Sequence, residues 1–186
     1  MLSDLARKYS RSFLEPIARF ISQTGVTPNV ITITGFILMI GVALVLAQGN
    51  FFLGGWLIIA AAIFDALDGT LARMMGRTSR FGAFLDSTLD RFSEAVIFLG
   101  IFIHLSGQNQ QLELILIYAT VVGSLMVSYA RARAEGIGVP LKDGLFTRFE
   151  RILLLVIGLI FGLMTLTLWL LAIFSNLTAI QRMYLV

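Results

Sequence analysis

The chain has 186 residues, of which 58% are hydrophobic and 13% charged, and its formal net charge is +3. This composition is too apolar for an ordinary water-soluble domain, so it predicts an integral membrane protein, and no nucleic-acid partner is expected. Cysteine is absent, which excludes a disulfide framework. Because each crossing needs roughly 20 apolar residues, the length accommodates about six spans, and we predict one domain over residues 1–186.

The N-terminal segment, residues 1–23, mixes basic and apolar residues. Its apolar positions 13, 14, 17, 20 and 21 fall on one helical face, which predicts an amphipathic helix lying in the membrane interface. A frayed polar leader is the alternative. The segment has no small-residue cleavage site after a compact apolar core, so it is not typical of a cleaved signal peptide.

Apolar blocks occupy most of the remaining chain. They run from Val30 to Ala47, Phe51 to Leu71, Phe81 to Leu105, Leu112 to Tyr129 and Ile152 to Phe174, with weaker apolar character to Val186. The last block is too long for one span and has no proline or charged turn to divide it, so we divide it near Thr165 to Thr167. The predicted fold is therefore all-α, with six transmembrane helices over about residues 28–186 after the interfacial helix.

The basic residues indicate an orientation. They lie in the N-terminal segment, around residues 73–91, in 131–151 and at Arg182, whereas the connections at 48–52 and 104–112 contain none. The positive-inside rule makes the basic connections cytoplasmic, and six spans place Arg182 on the same side as the N-terminus. We predict a multi-pass protein of the cell membrane whose basic connections face the cytoplasm.

Five acidic residues stand in the second and third apolar blocks: Asp65, Asp68, Asp86, Asp90 and Glu94. Ionised carboxylates are costly in lipid, so such acids are usually functional. The first two aspartates are three residues apart and the next two are four apart, so each pair projects from one face of its helix. The short connection between the blocks makes the helices antiparallel neighbours, and the two pairs can meet.

Four converging carboxylates repel one another unless cations neutralise them, and all-oxygen ligation suits hard divalent ions. The pattern therefore predicts a two-metal site with magnesium, or alternatively manganese. Neutralisation by ion pairs is the other interpretation, with partners Arg73, Arg77, Arg80 and Arg91. Small residues Gly69, Ala72 and Gly82 accompany the acids and permit close helix packing or close approach of a ligand. The charge of Arg73 suits phosphate oxygens.

The residues spell Asp65-x-x-Asp68-Gly69-x-x-Ala72-Arg73, eight residues, Gly82-x-x-x-Asp86-x-x-x-Asp90. This pattern resembles the signature of the CDP-alcohol phosphotransferases at all of its fixed positions. The resemblance implies that Asp65, Asp68 and Asp86 are metal ligands, and that Asp90 is both a ligand and the general base that deprotonates the acceptor alcohol. It also implies contacts with the CDP-lipid for Pro28, Asn29, Val30, Ile31, Gly69, Ala72, Arg73, Ser79 and Gly82.

A second basic cluster follows the fourth apolar block and includes Arg148 and Arg151, which are three apart and share a helical face. Such a pair can bind one anion, as a phosphorylated acceptor requires, although a positive-inside loop also explains basic residues here. The stretch resembles prokaryotic phosphatidylinositol-phosphate synthases, and this implies acceptor-phosphate contacts from Ser128, Arg131, Arg148 and Arg151.

The predicted reaction transfers a phosphatidyl group from CDP-diacylglycerol, or a related CDP-lipid, to inositol phosphate, giving phosphatidylinositol phosphate and CMP. A phosphatidylglycerophosphate synthase that uses glycerol phosphate is the alternative, and an archaeal-type donor lipid stays open, as does a homodimer. From a different class, a cation channel or transporter also places acids in membrane helices, but it would distribute them along a midplane pathway.

Overall fold

The computed structural model describes Pro16, Arg19 and residues 25–74, 79–141 and 144–186, apart from the side chains of Asp68, Ala72 and Arg73. Within these residues the fold is all-α, as predicted, and contains no strand. The helices are α1 (Pro28–Ala47), α2 (Phe51–Met74), α3 (Arg80–Ser106), α4 (Gln111–Gly136), α5 (Arg148–Phe161) and α6 (Met164–Tyr184). Of the predicted interfacial helix, the structure describes only Pro16 and Arg19, which are helical and exposed. This helix therefore stays a prediction.

Large apolar side chains are exposed on each of these six helices. Examples are Leu44, Phe52, Phe84, Tyr118, Phe161 and Ile180. A water-soluble protein rarely exposes so much apolar surface, whereas a lipid-facing surface must be apolar. The predicted multi-pass membrane character is therefore confirmed.

Four helical segments are long and apolar enough to cross a membrane: Pro28–Ala47, Phe51–Leu71, Gln111–Gly136 and Met164–Tyr184. Helix α3 has 27 residues, but its first 15 residues carry Asp86, Asp90 and Glu94. Helix α5 has 14 residues, or about 21 Å, which is shorter than the roughly 30 Å hydrocarbon layer. The count of six spans therefore stays a prediction.

The boundary between the last two helices differs from the predicted division near Thr165 to Thr167, which was wrong. The break falls at Gly162 and Leu163, where Gly162 has φ +69° and the Leu163 N–H donates to the Gly158 carbonyl at 2.9 Å. Glycine adopts this left-handed conformation without a Cβ penalty and so ends helix α5. Thr167 instead lies inside α6, where its side chain packs against Gly158.

The helices divide between two compact units, of which the first holds the chain up to Val42 together with Leu57–Ile97. In this unit α1 contacts both α2 and α3. The rings of Phe36 and Phe92 meet edge to face, with centroids 6.4 Å apart. A Cβ atom at Gly35 would lie 3.8 Å from the Phe64 ring. These contacts hold the beginning of α1 beside the acidic halves of α2 and α3.

The second unit holds Ala43–Trp56 together with Phe98–Val186. Its α4 and α6 approach closely, because Gly123 leaves room for Asn176, whose Nδ2 donates to the Ala119 carbonyl at 3.0 Å. Interhelical hydrogen bonds of this kind contribute on the order of 1 kcal/mol in membrane proteins. In the connection between α1 and α2, Gly49 has φ +84° and no room for a side chain, because His104 of α3 packs over it.

Candidate active site

The acids of α2 and α3 converge. Carboxylate oxygens from Asp65, Asp86 and Asp90, one from each residue, all lie within 4.8 Å of one another. Asp86 and Asp90 are one turn apart on α3, and Asp65 faces them from α2. None of the three residues is fully buried, so ions and substrates can reach their oxygens. We call these three residues the acidic group.

The acidic group fits a metal by the chemistry of its donors. Three carboxylates at this separation repel one another strongly, and all-oxygen donors suit a hard divalent cation. Arg91 also lies nearby, with Nη1 3.7 Å from an Asp90 oxygen and a hydrogen bond to the Ser87 carbonyl. The ion pair between Arg91 and Asp90 is one contact of the kind that the ion-pair interpretation expects.

The structure describes the backbone but not the side chains of three signature residues on α2: Asp68, Ala72 and Arg73. Their backbone is helical. Asp68 follows Asp65 by one turn, so its assignment as a metal ligand continues to rest on spacing.

The starts of α1 and α3 meet at Gly82. The Gly82 N–H donates to Ser79 Oγ at 2.8 Å, and this hydroxyl caps α3. A Cβ atom at Gly82 would lie 3.0 Å from Ser79 Oγ and 3.1 Å from Asn29 Oδ1. The glycine therefore allows two residues predicted to contact the CDP-lipid, Ser79 and Asn29, to lie side by side.

The turn before α1 has the predicted form of a helix start. Pro28 occupies the first helical position, where a missing N–H costs nothing, and the Thr27 carbonyl accepts the Val30 N–H at 3.1 Å. The Val30 side chain is exposed, whereas Ile31 is only 4% exposed. Gly69 is half-buried on α2.

The second predicted cluster lies in the other unit, at the start of α5. A capping box joins Thr147 to Glu150, whose carboxylate accepts the Thr147 N–H at 2.8 Å. This fixes the first helical turn, which carries Arg148 and Arg151. Arg151 is only 3% exposed, and its Nη1 donates to the Phe146 carbonyl at 3.4 Å. A guanidinium held this deeply is typical of an anion-binding site or a structural network.

The two α4 residues of this cluster are placed differently from the α5 arginines. Ser128 is half-buried. Arg131 is exposed, and its Nε donates to Glu135 Oε1 at 2.9 Å, one turn further along the helix. An exposed pair of this kind is weak, so a phosphate can displace it.

Arg182 of α6 is a residue that sequence reasoning interpreted only as a topology signal. It is 5% exposed, and its Nη1 donates to the Val127 carbonyl at 2.7 Å, next to Ser128. Its guanidinium also lies against Gly144, in the segment that leads to Arg148. The signal in the sequence is that Arg182 is the one charged residue of α6, since buried charges in apolar helices are usually functional. We call Arg148, Arg151 and Arg182 the arginine group.

The sequence matches the CDP-alcohol phosphatidyltransferase family over residues 25–180. This chain belongs to that family. It is therefore an enzyme of phospholipid synthesis, as the resemblance of the aspartate signature implied. All three residues of the acidic group lie within the matched region.

Individual relatives are similar over nearly the whole chain. The archaetidylinositol phosphate synthase of Pyrococcus horikoshii is 39% identical over 99% of this chain and 95% of its own length. The phosphatidylinositol phosphate synthase of Mycobacterium tuberculosis, solved with CDP-DAG bound, is 33% identical, with a TM-score of 0.86 and 92% of each chain covered. A structure of the same protein with manganese and citrate has the same identity and TM-score, over 92% of this chain and 87% of that one.

These relatives agree with the chemistry of the acidic group. One structure of the Mycobacterium relative holds manganese, and the three converging aspartates of this chain offer oxygen donors of the kind that a divalent cation prefers.

Proposed function

We propose that this enzyme transfers a phosphatidyl group from CDP-diacylglycerol to inositol phosphate and releases CMP. The observation that carries the proposal is the convergence of Asp65, Asp86 and Asp90 within 4.8 Å in a chain of this family. Carboxylates so arranged hold metals for phosphoryl transfer, in which catalysis consists largely of positioning and charge stabilisation.

For the metals, we propose two magnesium ions, with manganese as the alternative. Asp65, Asp68 and Asp86 would hold them, and Asp90 would share in the ligation. The ions supply positive charge to the phosphate oxygens as charge develops in the transition state. This assignment is supported by the oxygen-only donor set and by the one-turn spacing within each pair of aspartates.

For the chemistry, Asp90 acts as the general base. It accepts the proton of the acceptor hydroxyl while that oxygen forms a bond to the lipid-bearing phosphorus of the donor. The bond from this phosphorus to the CMP oxygen breaks, and CMP leaves. The donor's CDP moiety is held by Arg73, Gly69 and Ala72 on α2 and by the group of Pro28, Asn29, Val30, Ile31, Ser79 and Gly82.

For the acceptor, the arginine group and Ser128 hold the phosphate of inositol phosphate, with Arg131 released from Glu135 to join them. Two observations support a phosphorylated acceptor. Arg151 and Arg182 are buried, and a buried guanidinium needs an anion or a polar network around it. The names of the Pyrococcus and Mycobacterium relatives both contain inositol phosphate and differ in the lipid. The two names thus agree in the acceptor and differ in the donor's hydrocarbon chains.

The alternative acceptor is glycerol phosphate, which a basic cluster also fits. Detergent-purified protein given CDP-diacylglycerol and magnesium should release CMP rapidly with inositol phosphate and slowly with glycerol phosphate. It should release little with unphosphorylated inositol or without a divalent ion. A faster rate with glycerol phosphate would make the protein a phosphatidylglycerophosphate synthase, and CMP release that needs no divalent ion would defeat the metal assignment.

For topology, we propose six spans in one domain of the cell membrane, with the interfacial helix and the active site on the cytoplasmic side. The distribution of basic residues supports this orientation. Because the chain lacks cysteine, single cysteines at Gln108 and Lys142 can be labelled specifically. They should react from opposite sides of sealed vesicles, and reaction from the same side would refute the proposal. A homodimer also stays a proposal.

A further inference from the structure

The segment that leads from α4 into α5 is attached to the last turns of α6. The Leu145 N–H donates to Gln181 Oε1 at 3.0 Å, across 36 positions of the chain. A Cβ atom at Gly144 would lie 3.0 Å from Arg182 Nη2 and 3.3 Å from Thr178 Cγ2. The Phe146 and Phe174 rings lie 5.6 Å apart. Residues 144–146 thus each contact α6, and we call these contacts the loop clasp.

The loop clasp lies directly before the arginines of α5. Thr147 caps that helix, and Arg151 Nη1 donates to the Phe146 carbonyl. A movement of residues 144–146 would therefore carry the first turn of α5 with it. Within the clasp the same loop backbone also meets Arg182, so one segment sets the relative positions of α5 and α6 arginines.

The Leu145 side chain is 71% exposed, so its own packing does not fix the backbone at this position. The hydrogen bond to Gln181 holds it there, between the close fit at Gly144 and the ring contact of Phe146 with Phe174. A glutamine suits the task because its amide oxygen accepts a backbone N–H without adding a negative charge that would compete for the arginines.

We propose that Gln181 is a positioning residue for the acceptor. It holds residues 144–146 so that the arginine group meets the acceptor's phosphate, while touching no reacting atom itself. This inference rests on the proposed role of the arginine group. It predicts an effect on acceptor affinity that is separate from donor affinity and from the maximal rate.

The test replaces Gln181 by methionine, which keeps the length of the side chain and removes the hydrogen-bond acceptor. The Michaelis constant for the phosphorylated acceptor should rise roughly 3- to 10-fold, as expected for one neutral hydrogen bond. The donor's Michaelis constant and the kcat at saturating acceptor should stay near wild type. Hydrogen–deuterium exchange of a peptide covering residues 144–147 should become faster.

The matched control is Thr165→Val at the other end of α6. Thr165 Oγ1 donates to Glu113 Oε1 of α4 at 2.8 Å, so this variant also removes one hydrogen bond made by α6, at a place distant from residues 144–146 in sequence. Its acceptor constant should equal that of wild type. An equal rise in both variants would show general loosening of α6 and overturn the proposal.

Two further results would overturn it. Unchanged exchange at residues 144–147 in Gln181→Met would show that the clasp does not hold the loop. Faster exchange with an unchanged acceptor constant would show that the loop does not position the acceptor. Wild-type protein is assayed first with inositol phosphate and glycerol phosphate, and the variants are measured with whichever it uses. If it uses neither, the proposed function fails at that step, before any variant is measured.

Discussion

The acidic group and the arginine group are built by the chain in different ways. The three described aspartates come from two consecutive helices, α2 and α3, within 26 positions of sequence. The arginines come from the start of α5 and the end of α6, and Arg182 also donates to the Val127 carbonyl of α4. The first group depends on local spacing, whereas the second exists only after separate helices have packed.

The two groups also differ in what a loss should cost. Carboxylates that share a metal act as a unit, since removing one leaves the rest mismatched to the cation. Each arginine around a phosphate makes its own hydrogen bonds, so the arginines contribute more independently to acceptor binding. Changes in the acidic group should therefore reduce turnover itself, and changes in the arginine group should raise the acceptor's Michaelis constant.

The largest effect is expected from Asp65→Asn, which keeps the shape of the side chain and removes its charge. Loss of about 4 kcal/mol of transition-state stabilisation corresponds to roughly 10³-fold in kcat. The measurement is CMP release at saturating magnesium and both substrates. Glu113→Gln is the matched control, because it neutralises an acid bound to Thr165 in the other unit. Near wild-type turnover in Asp65→Asn would contradict the metal assignment.

A smaller and more selective effect is expected from Arg148→Ala. Loss of a charge-assisted hydrogen bond of about 1.5 to 3 kcal/mol should lower acceptor kcat/KM roughly tenfold or more, with little change in donor affinity. Arg133→Ala removes an exposed arginine from α4 and serves as the control for basic residues that act only in topology. If well-inserted Arg148→Ala protein has normal acceptor kinetics, the arginine group is not the acceptor site.

The smallest effect is expected from Gly82→Ala. The added methyl group would crowd Ser79 Oγ and Asn29 Oδ1 at about 3 Å, so the cap of α3 and the start of α1 must separate slightly. The Michaelis constant for the CDP-lipid should rise roughly 2- to 5-fold. A methyl group at Gly136 meets no atom within 4 Å, so Gly136→Ala should behave as wild type. An unchanged donor constant in Gly82→Ala would remove these contacts from the donor site.

The difference in construction explains which features could be predicted from the sequence. Asp65, Asp86 and Asp90 were predictable because helical periodicity and a short connection determine which side chains meet. The alternation of apolar blocks and polar connections likewise predicted the all-α fold. In both cases the deciding relation lies within one helix or between two adjacent ones.

Other features could not be predicted, because they depend on the backbone conformation of one residue or on contacts between residues distant in sequence. The end of α5 was misplaced because a proline or a charged turn was sought, whereas Gly162 ends the helix by its left-handed backbone. Arg182 was interpreted as a topology signal because its neighbours Val127 and Gly144 are distant in sequence. The hydrogen bond from Leu145 to Gln181 has no sequence signature.

The central claim is that the acidic group performs the chemistry, with Asp90 as its base. The most direct test is Asp90→Asn protein with magnesium, in which the affinity for CDP-diacylglycerol and single-turnover CMP release are measured together. In Asp90→Asn we expect near-normal donor binding and CMP release that is slowed by roughly 10²- to 10⁴-fold, the usual contribution of a general base. Normal release would eliminate Asp90 as the base, and loss of donor and metal binding together would leave it only a structural ligand.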